Sequence, residues 1–178
     1  MKRINSRIAF LIATLVLTAS MALASTPAGQ SASMEKVRKE LVTLPYYGVF
    51  DNLEYQVEGS TVTLYGQVVK PITRQDAERR IARIEGVDHV VNNIEVLPVS
   101  GFDDSIRARA YRTIFRTGSL YRYAMGANPS IHIVVKNGKV TLEGVVSNQM
   151  DSRLANMAAG SVSGVFSVTN NLRIGSKS

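Results

Sequence analysis

VTLYGQVV, residues 62–69, returns as VTLEGVVS at residues 140–147. Both runs alternate apolar residues toward one face, as a half-buried strand does. Both also set a glycine in fifth place, where a strand interior gains little from one. Sliding the chain against itself until Tyr55 meets Ile133 extends the match without a gap, from 55–96 onto 133–174. Identical pairs include Val57/Val135, Val62/Val140, Leu64/Leu142, Gly66/Gly144, Ala77/Ala155, Gly86/Gly164, Asn92/Asn170 and Asn93/Asn171. One offset held this far, with glycines and asparagines in step with the apolar positions, marks a duplicated unit.

Each copy reads alike. A strand, LEYQV (53–57) or IHIVV (131–135), meets a tight turn at Gly59-Ser60 or Asn137-Gly138. Asn-Gly suits a two-residue hairpin because both turn positions need positive φ. The second strand carries the repeated glycine, Gly66 or Gly144, expected where it bends or where a neighbouring backbone comes close. A helix follows; in copy one Ala77, Ile81 and Ile84 form its inner face. Gly86 or Gly164 is expected to end it as a C-terminal cap, and a third strand runs through VVNNIEV (90–96) or VTNNLRI (168–174). Ahead of each hairpin lies another helix. Met34, Val37, Leu41 and Leu44 supply its stripe in copy one, and Ile106, Ala110 and Ile114 in copy two, with Asp103 or Asp104 as the expected cap. The predicted class is α+β: two tandem αββαβ units, each with two helices on one face of a small three-stranded sheet.

Outside the repeat, Lys2, Arg3 and Arg7 precede the apolar run IAFLIATLVL (8–17), and small residues lead to Ala22-Leu23-Ala24. This pattern predicts a secretory signal peptide cleaved after Ala24, hence a periplasmic or secreted protein; the alternative is an uncut signal anchor. The 178 residues contain no cysteine, which rules out a lipid-modified cysteine at the cleavage point, disulfides and thiolate metal sites. The expected organisation is a signal peptide (1–24), a flexible segment (25–33), a first unit (34–97), a linker (98–102), a second unit (103–174) and a tail (175–178).

Two such units behind a signal peptide, each with VTLxG before a helix and GVxxVxNN after it, resemble the BON domain family, named for bacterial osmotically induced and nodulation proteins. The resemblance covers both copies, except that copy two carries an insertion-like stretch, RTGSLYRYAMGANPS (116–130). It implies an envelope protein without catalytic activity, attachment to phospholipid membranes, and association with osmotic or envelope stress.

The residues themselves offer little chemistry. His132 and His89 have no second ligand at metal-site spacing; His132, between Ile131 and Ile133, is expected to face solvent or a partner. No serine sits in a G-x-S-x-G turn and no phosphate-cradling glycine loop is present; GSVSG (160–164) reads as a helix end. No catalytic residue, cofactor or metal is expected. Charge is more informative. Residues 34–97 hold eight Lys and Arg against ten Asp and Glu, whereas 102–178 hold ten against four. Arg109, Arg112 and Arg116 form one helical stripe off the core face, Tyr111 and Phe115 take a third sector, and Arg122 sits between Tyr121 and Tyr123. Arginine beside tyrosine suits an anionic lipid surface. Arg109, Arg112, Arg116, Arg122, Tyr121 and Tyr123 are therefore the expected lipid contacts, the alternative being a solvated basic face with its aromatics packed on the other copy. Nucleic acid would use similar residues, but export argues against it as a partner. The competing function is an envelope protein-interaction module, a scaffold or chaperone-like factor, using exposed strand edges.

Overall fold

The computed structural model describes residues 27–126 and 128–175, with the backbone alone for 27–33. The signal peptide expected at 1–24 lies outside them. Helix α1 spans Pro27–Val42, strands β1 and β2 span Asn52–Glu58 and Thr61–Val68, and α2 spans Pro71–Ile81. Short strands β3 (His89–Asn92) and β4 (Glu95–Val96) complete the first unit. The second repeats the order with α3 (Gly101–Arg116), a 3-10 turn (Leu120–Ala124), β5 (Ile131–Lys136), β6 (Lys139–Val146), α4 (Gln149–Gly160), β7 (Ser167–Asn170) and β8 (Arg173–Ile174). The α+β reading holds for both units. Residues 27–33 continue α1 toward the N-terminus.

In each sheet the middle strand pairs antiparallel with its hairpin partner and parallel with the third strand: β1-β2-β3 and β5-β6-β7. The third strand is interrupted, and β4 and β8 resume the parallel pairing on β2 and β6. The repeated Asn-Asn pair causes the break. Asn92 Oδ1 accepts from Ile94 N–H at 3.2 Å while its amide donates to Arg74 O and Glu78 on α2. Asn170 does the same with Leu172 N–H and Ser152 of α4. One side chain thus turns the strand and ties it to the helix above.

Alternation sets the cores. Val62, Leu64 and Val68 meet Val37, Leu41, Ala77 and Ile81 in the first unit; Ile131, Ile133, Val140 and Leu142 meet Ile106, Ala110, Ile114 and Ala155 in the second. Met34, by contrast, is largely exposed. The repeated glycines have φ of +112° and +114°. A Cβ there would collide with the facing carbonyl of Asn52 or Ser130, so close backbone approach explains both. Asn137 and Gly138 both take positive φ, as their turn requires, while only Gly59 does so in the first hairpin.

Two capping expectations need correction. Ser100 is the N-cap of α3, its Oγ accepting from Asp103 N–H. Asp103 is buried and reaches instead to the hairpin, accepting from Asn137 N–H at 2.9 Å and Gly138 N–H at 2.8 Å. Gly86 and Gly164 lie beyond the last residues of α2 and α4; they take positive φ in the turn that leads to the next strand.

The units touch. The segment after α1 presses on β5, where Ile133 N–H donates to Val49 O at 2.7 Å. Val49 and Phe50 pack against the second core, and Phe50 meets Tyr111 edge-on. Asn128 Nδ2 donates to Val42 O, and Lys136 pairs with Glu95. Asp51 shapes the segment by accepting from Gly48 and Val69 N–H.

Candidate functional site

Helix α3 turns Ile106, Ala110 and Ile114 into the core, so residues three and four apart on its outer flank share a surface. Arg109, Arg112 and Arg116 occupy it. With Thr113, Thr117, Ser161, Val162 and Ser163 they line a groove of about 470 Å³ between α3 and the end of α4. Among the described residues none of these arginines forms an ion pair. Arg109 Nε is buried and has no acceptor, an unmet donor at one end of the groove. Gly164 adjoins that end: a Cβ on it would lie in ordinary contact, 3.4 Å from Arg109 Nη2 and 3.5 Å from the Phe102 ring. Phe102 and Phe166 form an exposed ring pair, centroids 6.0 Å apart, beside that end.

The first unit contains the same groove with different chemistry. Arg83, Ile84 and Glu85 are the repeat counterparts of Ser161, Val162 and Ser163, and they line a groove of about 530 Å³ with Lys36, Lys39, Glu40 and Arg80. Here Arg80 pairs with Glu40 at 3.4 Å, and Glu85 adds a second carboxylate. Asp88 stands where the second unit has the exposed Phe166. One fold therefore presents a partly neutralised groove in its first copy and an uncompensated cationic one in its second.

The other expected lipid contacts separate. Tyr121 is exposed, but Tyr123 is buried, with its hydroxyl donating to Asp151 Oδ2 at 2.5 Å and accepting from Ser147 N–H. Arg122 pairs with the same carboxylate, which Asn148 also engages while capping α4. Burial pushes the Asp151 carboxyl up, yet the Tyr123 hydroxyl, the Arg122 charge and the Asn148 amide together hold it below the usual range. Arg122 and Tyr123 thus pin the 116–130 stretch to α4. Tyr111 meets Phe50 of the first unit and stacks edge-on with Phe115, which is itself part of the second core, so one aromatic of the pair packs on the other copy.

His132 is not solvated. It is 8% exposed and stacks on Tyr47, its Nδ1 donating to Gly48 O and its Nε2 meeting the Tyr47 hydroxyl at 3.4 Å. Burial holds the imidazole below its ordinary pKa and pushes the Tyr47 hydroxyl up to about 12. A cleft of about 640 Å³ opens beside this contact, lined by Arg38 and Arg173 but also by Glu54 and Glu143, each holding an asparagine amide. Its charges cancel, unlike those of the arginine groove. His89 is exposed at the start of β3, and among the described residues no three His, Asp or Glu side chains are grouped to hold a metal. Nor is any described helix long and apolar enough to cross a membrane.

Sequence reasoning missed Phe102, in α3, and Phe166, just before β7, which meet only through the fold. No curated protein matches the chain. Two similar solved structures are of CdsD, a structural protein of the type III secretion system of Chlamydia trachomatis. One is 10% identical, covers 81% of this chain and 93% of its own, and has a TM-score of 0.31. The other, the CdsD C-terminal domain, is 10% identical over 80% and 97% of the two chains, with a TM-score of 0.28. Residues 34–98 and 103–176 each match the BON domain, the same two stretches that carry the duplicated helix, hairpin and Asn-Asn strand. The chain belongs to the BON domain family, as a protein with two tandem BON domains.

Proposed function

We propose that this protein is a non-enzymatic envelope protein, exported by its N-terminal signal, that binds anionic phospholipid surfaces peripherally through its second domain. The family supports the envelope setting and the association with osmotic or envelope stress. The observation that carries the membrane reading is the groove of Arg109, Arg112 and Arg116 without an acidic partner among the described residues. Guanidinium groups bind phosphate oxygens in pairs, and a neighbouring row can hold several headgroups at once. Phe102 and Phe166 add exposed rings beside it, suited to the interface between headgroups and chains.

Each basic side chain near an anionic leaflet contributes about 1 kcal/mol. Replacing Arg109, Arg112 and Arg116 together by Gln in the full chain should weaken binding to phosphatidylglycerol-containing vesicles on the order of a hundredfold. The fold should persist, because these side chains lie off the core. The matching change in the first domain, Lys36→Gln with Lys39→Gln, should alter binding little. Co-sedimentation across a salt series reads both. Unchanged binding by the triple variant would make the groove ordinary solvated surface and favour the protein-interaction reading.

A further inference from the structure

The outer flank of α4 carries an apolar row of which only Leu154 packs against the second core. Met150 is 62% and Met157 is 68% exposed, and Leu154 between them is half-buried. Spacings of four and three place 150, 154 and 157 on one side of the helix, and the next residue on that side, Ser161, lines the arginine groove. Leu154 also approaches Gly118, just past the end of α3. The row and the three arginines therefore form one continuous outer surface of the helical layer. In the first domain the repeat counterparts of Met150, Leu154, Met157 and Ser161 are Ile72, Asp76, Arg79 and Arg83, with Asp76 paired to Arg79. The copy that keeps carboxylates in its groove thus keeps an ion pair on this helix, and the copy without them has leucine and methionine there.

We propose that Met150, Leu154 and Met157 enter the acyl boundary of the membrane while the arginines hold headgroup phosphates above them. The proposal rests on the membrane reading and adds the mode of attachment: part electrostatic, part insertion. An apolar helix flank beside cationic side chains is the arrangement of interfacial membrane helices. Methionine also adapts to protein surfaces, but the adjoining row of cations without carboxylates complements a sheet of phosphates.

The chain lacks cysteine, so one introduced thiol gives a unique label. Met157→Cys carrying a polarity-sensitive fluorophore, in the full chain, should shift to the blue on phosphatidylglycerol vesicles. Lipids bearing a nitroxide high on the acyl chain should quench it. The same label at Arg79→Cys should do neither. Met150→Gln with Met157→Gln should reduce the binding that survives raised salt by about tenfold, as expected when partial burial of two such side chains is lost. Vesicle binding with no blue shift at 157 would overturn the insertion while leaving the arginine reading intact. Failure to bind vesicles at any salt would remove both. A blue shift with vesicle-free envelope extract but none with vesicles would overturn it in favour of a protein partner.

Discussion

Replacing Gly144 by alanine tests why both copies interrupt a strand with glycine. At φ +114° the new Cβ would fall inside contact distance of Ser130 O, with Ser130 C at 3.1 Å and Ile131 Cα at 3.5 Å. Ser130 O also accepts from Val145 N–H at 2.9 Å, so a shift to relieve the clash strains a ladder bond. Gly66 is equivalent, its Cβ meeting Asn52 O and lying 2.9 Å from Asn52 C. Positive φ costs an L-residue about 1–2 kcal/mol, and overpacking against a neighbour that cannot yield adds about 1–3 kcal/mol. The expected loss is about 2–5 kcal/mol for either variant. Gly86 provides the control: its φ is +89°, but nothing lies within 4 Å of its Cβ position, so Gly86→Ala should show only the backbone share. Urea unfolding followed by circular dichroism gives the difference as a shift in midpoint at constant slope. If Gly144→Ala and Gly66→Ala cost no more than Gly86→Ala, close backbone approach is not why the glycines stand there.

Asp103→Ala leaves the Asn137 and Gly138 N–H groups without their acceptor and should destabilise by about 3–6 kcal/mol, given that hydrogen bonds to charged groups contribute about 1.5–3 kcal/mol each; urea midpoints equal to wild type would refute this. For His132, burial holds the folded imidazole below its ordinary value, so the unfolded chain binds more protons and stability should fall as pH drops below about 6.5. Asp51, pushed up by burial, acts in the opposite sense at lower pH, and Glu143 stands opposite His132 in the β5-β6 pair. His132→Gln should flatten the stability profile between about pH 5 and 7; an unchanged slope would assign it to other groups.

What could be read from the chain was whatever repeats or alternates. Val62, Leu64 and Val68 declared their face, Ile106, Ala110 and Ile114 theirs, and Asn137-Gly138 its turn, because these signals are local. The arginine row was legible for the same reason. Partners distant in the chain were not. Asp103 looks like a cap because it stands in the first turn of a helix, and nothing nearby announces a hairpin partner as far along as Asn137. Arg122 between tyrosines suggests an interface until Asp151, on the next helix, claims it. His132 could be assigned to the correct side of its strand, but not to Tyr47, which belongs to the other unit. The α4 row was within reach: aligning the copies already sets Leu154 against Asp76 and Met157 against Arg79.

The contact of Val49 and Phe50 with the second core changes what tandem duplication means in this chain. The first domain supplies the outer hydrogen-bond partner of Ile133 and two apolar side chains over the neighbouring core. The copies are therefore not interchangeable beads. Reversing their order, or expressing the second alone, would leave the β5 flank open and its apolar neighbours wet, a setting in which strands from separate molecules pair with one another. Solubility of the second half is in this sense a property donated by the first. By covering β5, the first copy keeps its sibling from sticking to itself.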